Sequence, residues 1–378
     1  MNARERFLET MTFGNPDGIF YWCRSAYLRQ ATLDRWFHEG LPPNLGSSDS
    51  LSSWQSSWRA VREYLGFDSS ETLPVDFGPL PRFESVILEE DERYQVWIDE
   101  MGAKRLDFRV QPEPGFQTRT WLEYPVRTRG NFVRMAERYD PGVPSRYPAD
   151  WEECAKSLRG GEHPLRLAVP SLFGTVRGWM GLEGAALCFY DDPQWMHEMM
   201  DFVTEFVVAA SRRAVETHVV DWIMLFEDMA YKTASMISPD MVREFMLPRY
   251  GRIVEFFRDE GVEVIMVDSD GHVSDLIPLW LETGINGLFP LEVAAGMDPV
   301  AVRKEYGRSL ALIGGIDKRE LAKDREAVRK EVMSKVPYLL QEGGYIPLVD
   351  HAVPPDVPYE NFLYFLELLR TIESEVYG

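Results

Sequence analysis

From about residue 165 onward the chain repeats one pattern, and that pattern limits the available folds more than any other feature. Short apolar runs alternate with longer amphipathic stretches. Leu165–Val169 precedes a helical pattern near 191–217, and Trp222–Phe226 precedes another from 239 to 259. Val262–Val267, Ile285–Leu288, Leu310–Ile313 and Tyr345–Val349 come next, separated by helical material, and a last helix is predicted over 358–376. Strand-then-helix repetition implies parallel strands joined by right-handed crossovers. A closed barrel and an open doubly wound sheet both satisfy it. No GxGxxG or GxxxxGK[ST] follows a strand, so nucleotide-binding forms of the open sheet lose support. The expectation is a (β/α)8 TIM-type barrel with an N-terminal helical and small β elaboration. One domain is expected over residues 1–378, irregular over 1–160, where the first barrel elements lie, and regular over 161–378.

The irregular part carries weaker signals. Residues 2–12 read as a helix with Phe7, Leu8 and Met11 on one side. Ile19–Trp22 reads as a short strand after the turn Asn15-Pro16-Asp17-Gly18. Phe83–Leu88 and Tyr94–Ile98 flank the acidic run Glu89-Glu90-Asp91-Glu92 and predict a strand, a turn and a strand. Gly102–Val110 and Thr118–Val126 add two more candidate strands. Ser238 is placed to cap a helix whose first residue is Pro239.

The residues just past each apolar run are informative. Trp222–Phe226 leads into Glu227-Asp228, Val262–Val267 into Asp268-Ser269-Asp270-Gly271, and Gly287–Leu291 into Glu292. Leu310–Gly315 leads toward Asp317, and Pro347–Val349 into Asp350-His351. In a parallel barrel these positions share one rim, where barrel enzymes keep their chemistry. Asp268, Asp270, His351, Glu227 and Asp228 are therefore the candidate catalytic residues. Trp22, Arg24, Tyr231, Lys232, Glu292, Asp317 and Asp350 are the candidate substrate-binding residues. Paired carboxylates serve as acid and base, as cation ligands, or as anchors for hydroxyl and amine groups. A carboxylate beside His351 suits an imidazole for proton transfer near neutrality. Arg24 offers a fork for a carboxylate or phosphate. Asp268, Asp270 and His351 together are also a candidate oxygen-rich metal site, with zinc the metal considered. A solvated loop, an Asp-Gly turn or a loop-bonded histidine is the plainer account of each residue alone.

Charge and cysteine content narrow the partners. The formal net charge of −21 repels nucleic acid and anionic lipid. No run approaches the roughly 18 apolar residues of a membrane span, and the N-terminus lacks the apolar core of a signal peptide. Cys23, Cys154 and Cys188 stand far apart, which fits a reducing compartment. A cytoplasmic enzyme acting on a small molecule is expected, with a homodimer as a candidate assembly.

Several of these segments together resemble the uroporphyrinogen decarboxylase superfamily, which includes decarboxylases and corrinoid-linked methyltransferases. Leu225-Phe226-Glu227-Asp228, then Ile237-Ser238-Pro239, Phe245 and Leu247-Pro248-Arg249-Tyr250, resemble its strand, Ser-Pro helix cap and Pro-Tyr segment. Ile313-Gly314-Gly315-Ile316-Asp317 is similar to its G-N-L-D strand. His351-Ala352-Val353-Pro354 with Pro358-Tyr359-Glu360-Asn361 resembles its H-G-I-x-P…P-x-E-N ending. Arg4-Glu5-Arg6-Phe7 and Tyr21-Trp22 fit its opening.

The resemblance implies a TIM-type barrel with a polar pocket at the strand ends. Where the decarboxylases carry Arg-Gln-Ala-Gly-Arg-Tyr, this chain reads Arg24-Ser25-Ala26-Tyr27-Leu28-Arg29, and their Phe-Ser-Asp segment has no counterpart. Where the methyltransferase branch binds zinc with His-x-Cys and a later Cys, this chain has Asp268, Asp270 and His351. That harder ligand set does not suit zinc-activated thiol transfer in its usual form. The expected function is methyl transfer of the corrinoid-linked type on a small polar substrate, the corrinoid being supplied by a partner protein. Decarboxylation of a carboxylated, tetrapyrrole-like substrate is the alternative, and a non-catalytic binding subunit is the second alternative.

Overall fold

The computed structural model describes residues 1–23, 28–45, 54–109 and 119–378, with the backbone alone over 54–58. Among them are eleven strands. β1 (Glu71–Thr72) is followed by β2 (Val86–Glu90), β3 (Tyr94–Ile98), β4 (Lys104–Phe108) and β5 (Arg119–Glu123). Next come β6 (Leu165–Val169), β7 (Trp222–Phe226), β8 (Val264–Asp268), β9 (Gly287–Phe289), β10 (Ala311–Ile313) and β11 (Tyr345–Ile346). β1 and β6–β11 form one seven-stranded sheet in the order β1-β6-β7-β8-β9-β10-β11, every pair parallel. Each strand therefore delivers its carboxyl end to the same side of the curled sheet.

From β7 to β11 the sheet is almost wholly buried, because helices cover one face and side chains fill the other, which explains its near-continuous apolar runs, whereas β1 at the edge is exposed. Trp222, Phe226, Asp268 and Phe289 lie on one face by register. Trp22 packs on that face, 6.0 Å from the Trp222 ring and 5.4 Å from Phe289 by ring centroids. One contiguous apolar core runs from Phe7 to Ile372. Toward the carboxyl ends that face opens. Phe226 is 52% exposed, although Asp268 beside it is only 3% exposed.

β2–β5 form a separate antiparallel sheet, as the sequence predicts, with edge strands β2 and β5 exposed along their whole length. The acidic run divides differently from expectation: Glu89 and Glu90 belong to β2, and the turn begins at Asp91. The segment that leads from β1 toward this sheet is held by the buried Arg146. Its guanidinium donates to the carbonyls of Asp140, Asp76, Gly78 and Arg138 at 2.7–3.0 Å.

Three expectations change. Among the described residues the parallel ladder holds seven strands, and a closed (β/α)8 barrel is not shown. Ile19–Trp22 is extended chain without a strand ladder. It is attached by the Asp68 N–H donating to the Tyr21 carbonyl (2.7 Å), and Leu28 farther on forms a parallel bridge with Val353. The architecture shown is TIM-barrel-like, with a curled parallel sheet. Last, Leu172–Asp191 is helical over 20 residues with a break at Gly181 (φ +78°), and periodicity does not reveal it. Its sequence is apolar on most sides and rich in glycine, so it carries no clean amphipathic stripe. Among the described residues no helix is long and apolar enough to cross a membrane.

The predicted cap at Ser238 forms, its hydroxyl accepting from the Met241 N–H (3.2 Å) with Pro239 at the first helical position. The helical run from Pro239 to Asp259 contains a π turn over Val242–Met246, directly before Leu247-Pro248. Pro248 has no N–H to give to the preceding turn and its ring crowds that turn's carbonyl. A widened turn accommodates both.

Candidate functional site

At the carboxyl end of the sheet, Asp270 and His351 meet. Asp270 Oδ2 lies 3.2 Å from His351 Nε2, across 81 residues of sequence, and both side chains keep about a third of their surface open to solvent. Asp270 is set by the loop after β8, where Gly271 turns the chain at φ +86°. A Cβ at Gly271 would lie 2.6 Å from the Ala230 carbonyl oxygen, so the position requires glycine. The Gly271 N–H donates to Glu292 Oε2 (3.0 Å), which ties the β8 loop to the β9 loop.

A second cluster stands behind this pair. Asp350, with no solvent exposure, accepts from the Val293 N–H (2.9 Å) on one oxygen and from Lys318 Nζ (3.2 Å) on the other. Lys318 also stands 4.0 Å from Glu292 Oε1. The loops after β9, β10 and β11 are thus joined by charge-assisted bonds. His351 follows Asp350 directly, so this clamp positions the imidazole.

Glu227 is fully buried and serves the helix Leu172–Asp191. Its carboxylate accepts from the Leu172 N–H (2.9 Å), the Gly174 N–H (3.0 Å) and the Tyr250 hydroxyl. These N–H groups open the first helical turn and have no partner within the helix. Burial pushes the Glu227 carboxyl above the usual range, with Tyr250 and the two N–H donors pulling against it. Asp228 sits in the left-handed region at φ +44° and pairs with Arg177 Nη2 at 3.1 Å. The Ser269 hydroxyl accepts from the Met229 N–H (3.1 Å).

The other expected residues fall in different settings. Asp317 caps the short helix Lys318–Leu321 and pairs with Arg319 (2.7 Å). Burial raises its pKa, but the Arg319 bonds and charge outweigh that and hold it below the ordinary value. Trp22 is packed in the core rather than open to a ligand. Tyr231 is 65% exposed and Lys232 is exposed, on the loop whose carbonyls back Gly271. Arg24 lies outside the described residues. Asp268 closes β8 beside the exposed Phe226.

Among the described residues no group of three His, Cys, Asp or Glu side chains is spaced to hold a metal ion. Asp268, Asp270 and His351 are thus not such a group. The sequence reading passed over Lys318 and Arg177. Lys318 had a signal, being a cation directly after a strand-end acid, whereas Arg177 lies in the helix that periodicity missed.

Comparison with known proteins agrees with this layout. The profile of the uroporphyrinogen decarboxylase (URO-D) family matches residues 171–372. The uroporphyrinogen decarboxylase of a Nitratiruptor species is 24% identical over 187 residues, 48% of this chain and 51% of that one. The enzyme of that name from Legionella pneumophila (strain Paris) is 26% identical over 158 residues, 41% of this chain and 42% of that one. The chain spans about half the length of the curated relatives it matches. Among solved structures, a methyltransferase from Methanosarcina mazei superposes over 100% of both chains with a TM-score of 0.60 at 15% identity, a likeness of fold. With more than half of its length matched, from the start of the helix capped by Glu227 into the last helix, the chain belongs to the uroporphyrinogen decarboxylase (URO-D) family.

Proposed function

We propose that this protein transfers a methyl group from a small, neutral or cationic methylated substrate, with His351 moving the proton that the reaction requires. The observation that carries the reading is the 3.2 Å contact of Asp270 with His351 at the carboxyl rim. A carboxylate on Nε2 fixes the orientation of the ring. When a methyl group leaves an oxygen or nitrogen, the carbon–heteroatom bond breaks and the heteroatom keeps the electron pair. The imidazolium hands that atom a proton, and the methyl passes to an acceptor. A corrinoid carried by a partner protein supplies that acceptor in the proposed reaction.

The rim's charge favours this substrate class. Among the described residues Asp228, Asp268, Asp270, Glu292, Asp317 and Asp350 stand at the strand ends with the cations Arg177, Lys232, Lys318 and Arg319, and Arg177, Lys318 and Arg319 are each paired with one of those carboxylates. Such a mouth disfavours a polycarboxylate and suits a neutral or cationic molecule. The test is methyl transfer to reduced cobalamin, read by absorbance, with a panel of N- and O-methylated small molecules. Turnover with at least one donor, falling about 100-fold or more in His351→Gln, is expected. No transfer across the panel contradicts the proposal.

Decarboxylation is the second reading, favoured by the names of the curated relatives. Loss of CO2 leaves a carbon that also takes a proton, and His351 would deliver it. Incubation with uroporphyrinogen and mass analysis of the product separates the two, and loss of 44 mass units per carboxyl would support this reading (about 44 being the mass of the CO2 released).

A further inference from the structure

A cavity of about 410 Å3, lined by neither Asp270 nor His351, lies between the antiparallel sheet and the first turns of the helix Leu172–Asp191. We infer that it binds a planar heteroaromatic molecule, neutral or cationic, that carries a hydrogen-bond acceptor. Its volume falls within the roughly 300–1,000 Å3 of small-molecule sites.

Strand register builds one wall. Trp97, Arg105 and Trp121 are neighbours across β3, β4 and β5. The Arg105 guanidinium lies 4.8 Å from the Trp97 ring centre and 5.9 Å from that of Trp121. Trp121, 46% exposed, presents its indole to the cavity. The opposite wall is the helix face carrying Gly174, Thr175 and Gly178. Gly178 leaves that face open, since a Cβ added there meets nothing within 4 Å, whereas a Cβ at Gly174 would meet Ser171 Oγ at 2.5 Å and the Phe226 carbonyl at 2.8 Å. An indole facing that open helix face leaves a slot, which suits a flat ring that stacks on one side and lies against backbone on the other.

Charge and hydrogen bonding narrow the ligand further. Arg105 is bound by Asp99 (3.2 Å) and Asp107 (2.7 Å), so its positive charge is met twice over and gives an anion no welcome. At the inner end, the Tyr139 hydroxyl accepts from Trp179 Nε1 (3.3 Å). Its own proton has no acceptor among the described residues, although the side chain is only 4% exposed. A buried donor in that state favours a ligand with a ring nitrogen or carbonyl. Gly174 connects this slot to the rim, because its N–H holds Glu227 while the residue lines the cavity.

The site is read by binding alone and stands whether or not the rim transfers a methyl group. The full chain is titrated with acridone, a flat neutral ring with a carbonyl, by fluorescence anisotropy. 9-Anthracenecarboxylate serves as the flat anionic comparator. Saturable acridone binding is expected, at least 10-fold tighter than the carboxylate. Gly178→Leu, which fills the slot without altering charge, and Trp121→Ala should each weaken it 10-fold or more. Tyr139→Phe should weaken it several-fold, and His351→Gln should leave it unchanged. Circular dichroism verifies that each variant is folded. Absence of saturable binding, indifference to Gly178→Leu and Trp121→Ala, or tighter binding of the carboxylate overturns the inference. Indifference to Tyr139→Phe overturns the requirement for an acceptor.

Discussion

Asp350 holds Lys318 in a pair that joins the ends of two neighbouring strands, with Nζ 3.2 Å from a carboxylate that solvent does not reach. Lys318 keeps only 19% of its side-chain surface, so removing Asp350 leaves its charge in a poorly solvated place with Glu292 no nearer than 4.0 Å. Asp350→Ala is expected to cost about 3–5 kcal/mol of stability, the range for breaking one side of a buried pair. Urea unfolding measures it. A loss below about 1 kcal/mol would show that the clamp does not hold the rim together.

Glu227 makes a pH-dependent prediction. Burial raises its carboxyl above the ordinary value, so ionising it is harder in the fold than in the unfolded chain. The stability linked to this proton is fully present below the unfolded value, about 4.3, and is lost as pH rises through the folded one. Glu227→Gln cannot ionise. The melting temperature of the native chain relative to Glu227→Gln is therefore expected to fall as pH rises from about 4. A difference that stays constant with pH contradicts the assignment.

The thiols offer a third check. Burial pushes Cys23 up to about 12, against the opposing charge of Arg62, and burial pushes Cys188 up to about 11. At pH 8 both are almost wholly protonated, whereas the reacting species is the thiolate. Alkylation by iodoacetamide is expected to reach Cys154, the partly exposed thiol, first. Cys23 should react about a thousandfold more slowly in the native protein than in denaturant. Equal native rates at Cys23 and Cys154, followed by peptide mass analysis, would refute this.

Much of the sheet could be read from the sequence because its signals are local. Trp222–Phe226 is a continuous apolar run between Asp221 and Glu227, Leu165–Val169 is apolar except at Arg166 and lies between Pro164 and Pro170, and both strands begin and end where those runs do. The meeting of Asp270 with His351 was also legible, since parallel strands send their next residues to one side. Pairing partners were not legible. Whether a strand-end acid faces the mouth, as Asp270 does, or turns back to cap a helix, as Glu227 and Asp317 do, depends on which N–H groups lie within reach. That is settled by tertiary packing, which periodicity does not encode. The helix Leu172–Asp191 was hidden for a related reason. Its open side carries the large apolar residues Leu182, Leu187 and Tyr190, so no polar stripe marks it in the sequence.

The central claim is that Asp270 and His351 act as one proton-transferring unit. A double-mutant cycle in kcat/KM, made with Asp270→Asn, His351→Gln and the double variant on a donor found in the methyl-transfer panel, tests it most directly. If the two residues act together, the double variant is expected to be no slower than His351→Gln alone, because the carboxylate has nothing left to orient. If the two losses instead multiply, each residue works independently, and the 3.2 Å contact is not the catalytic element.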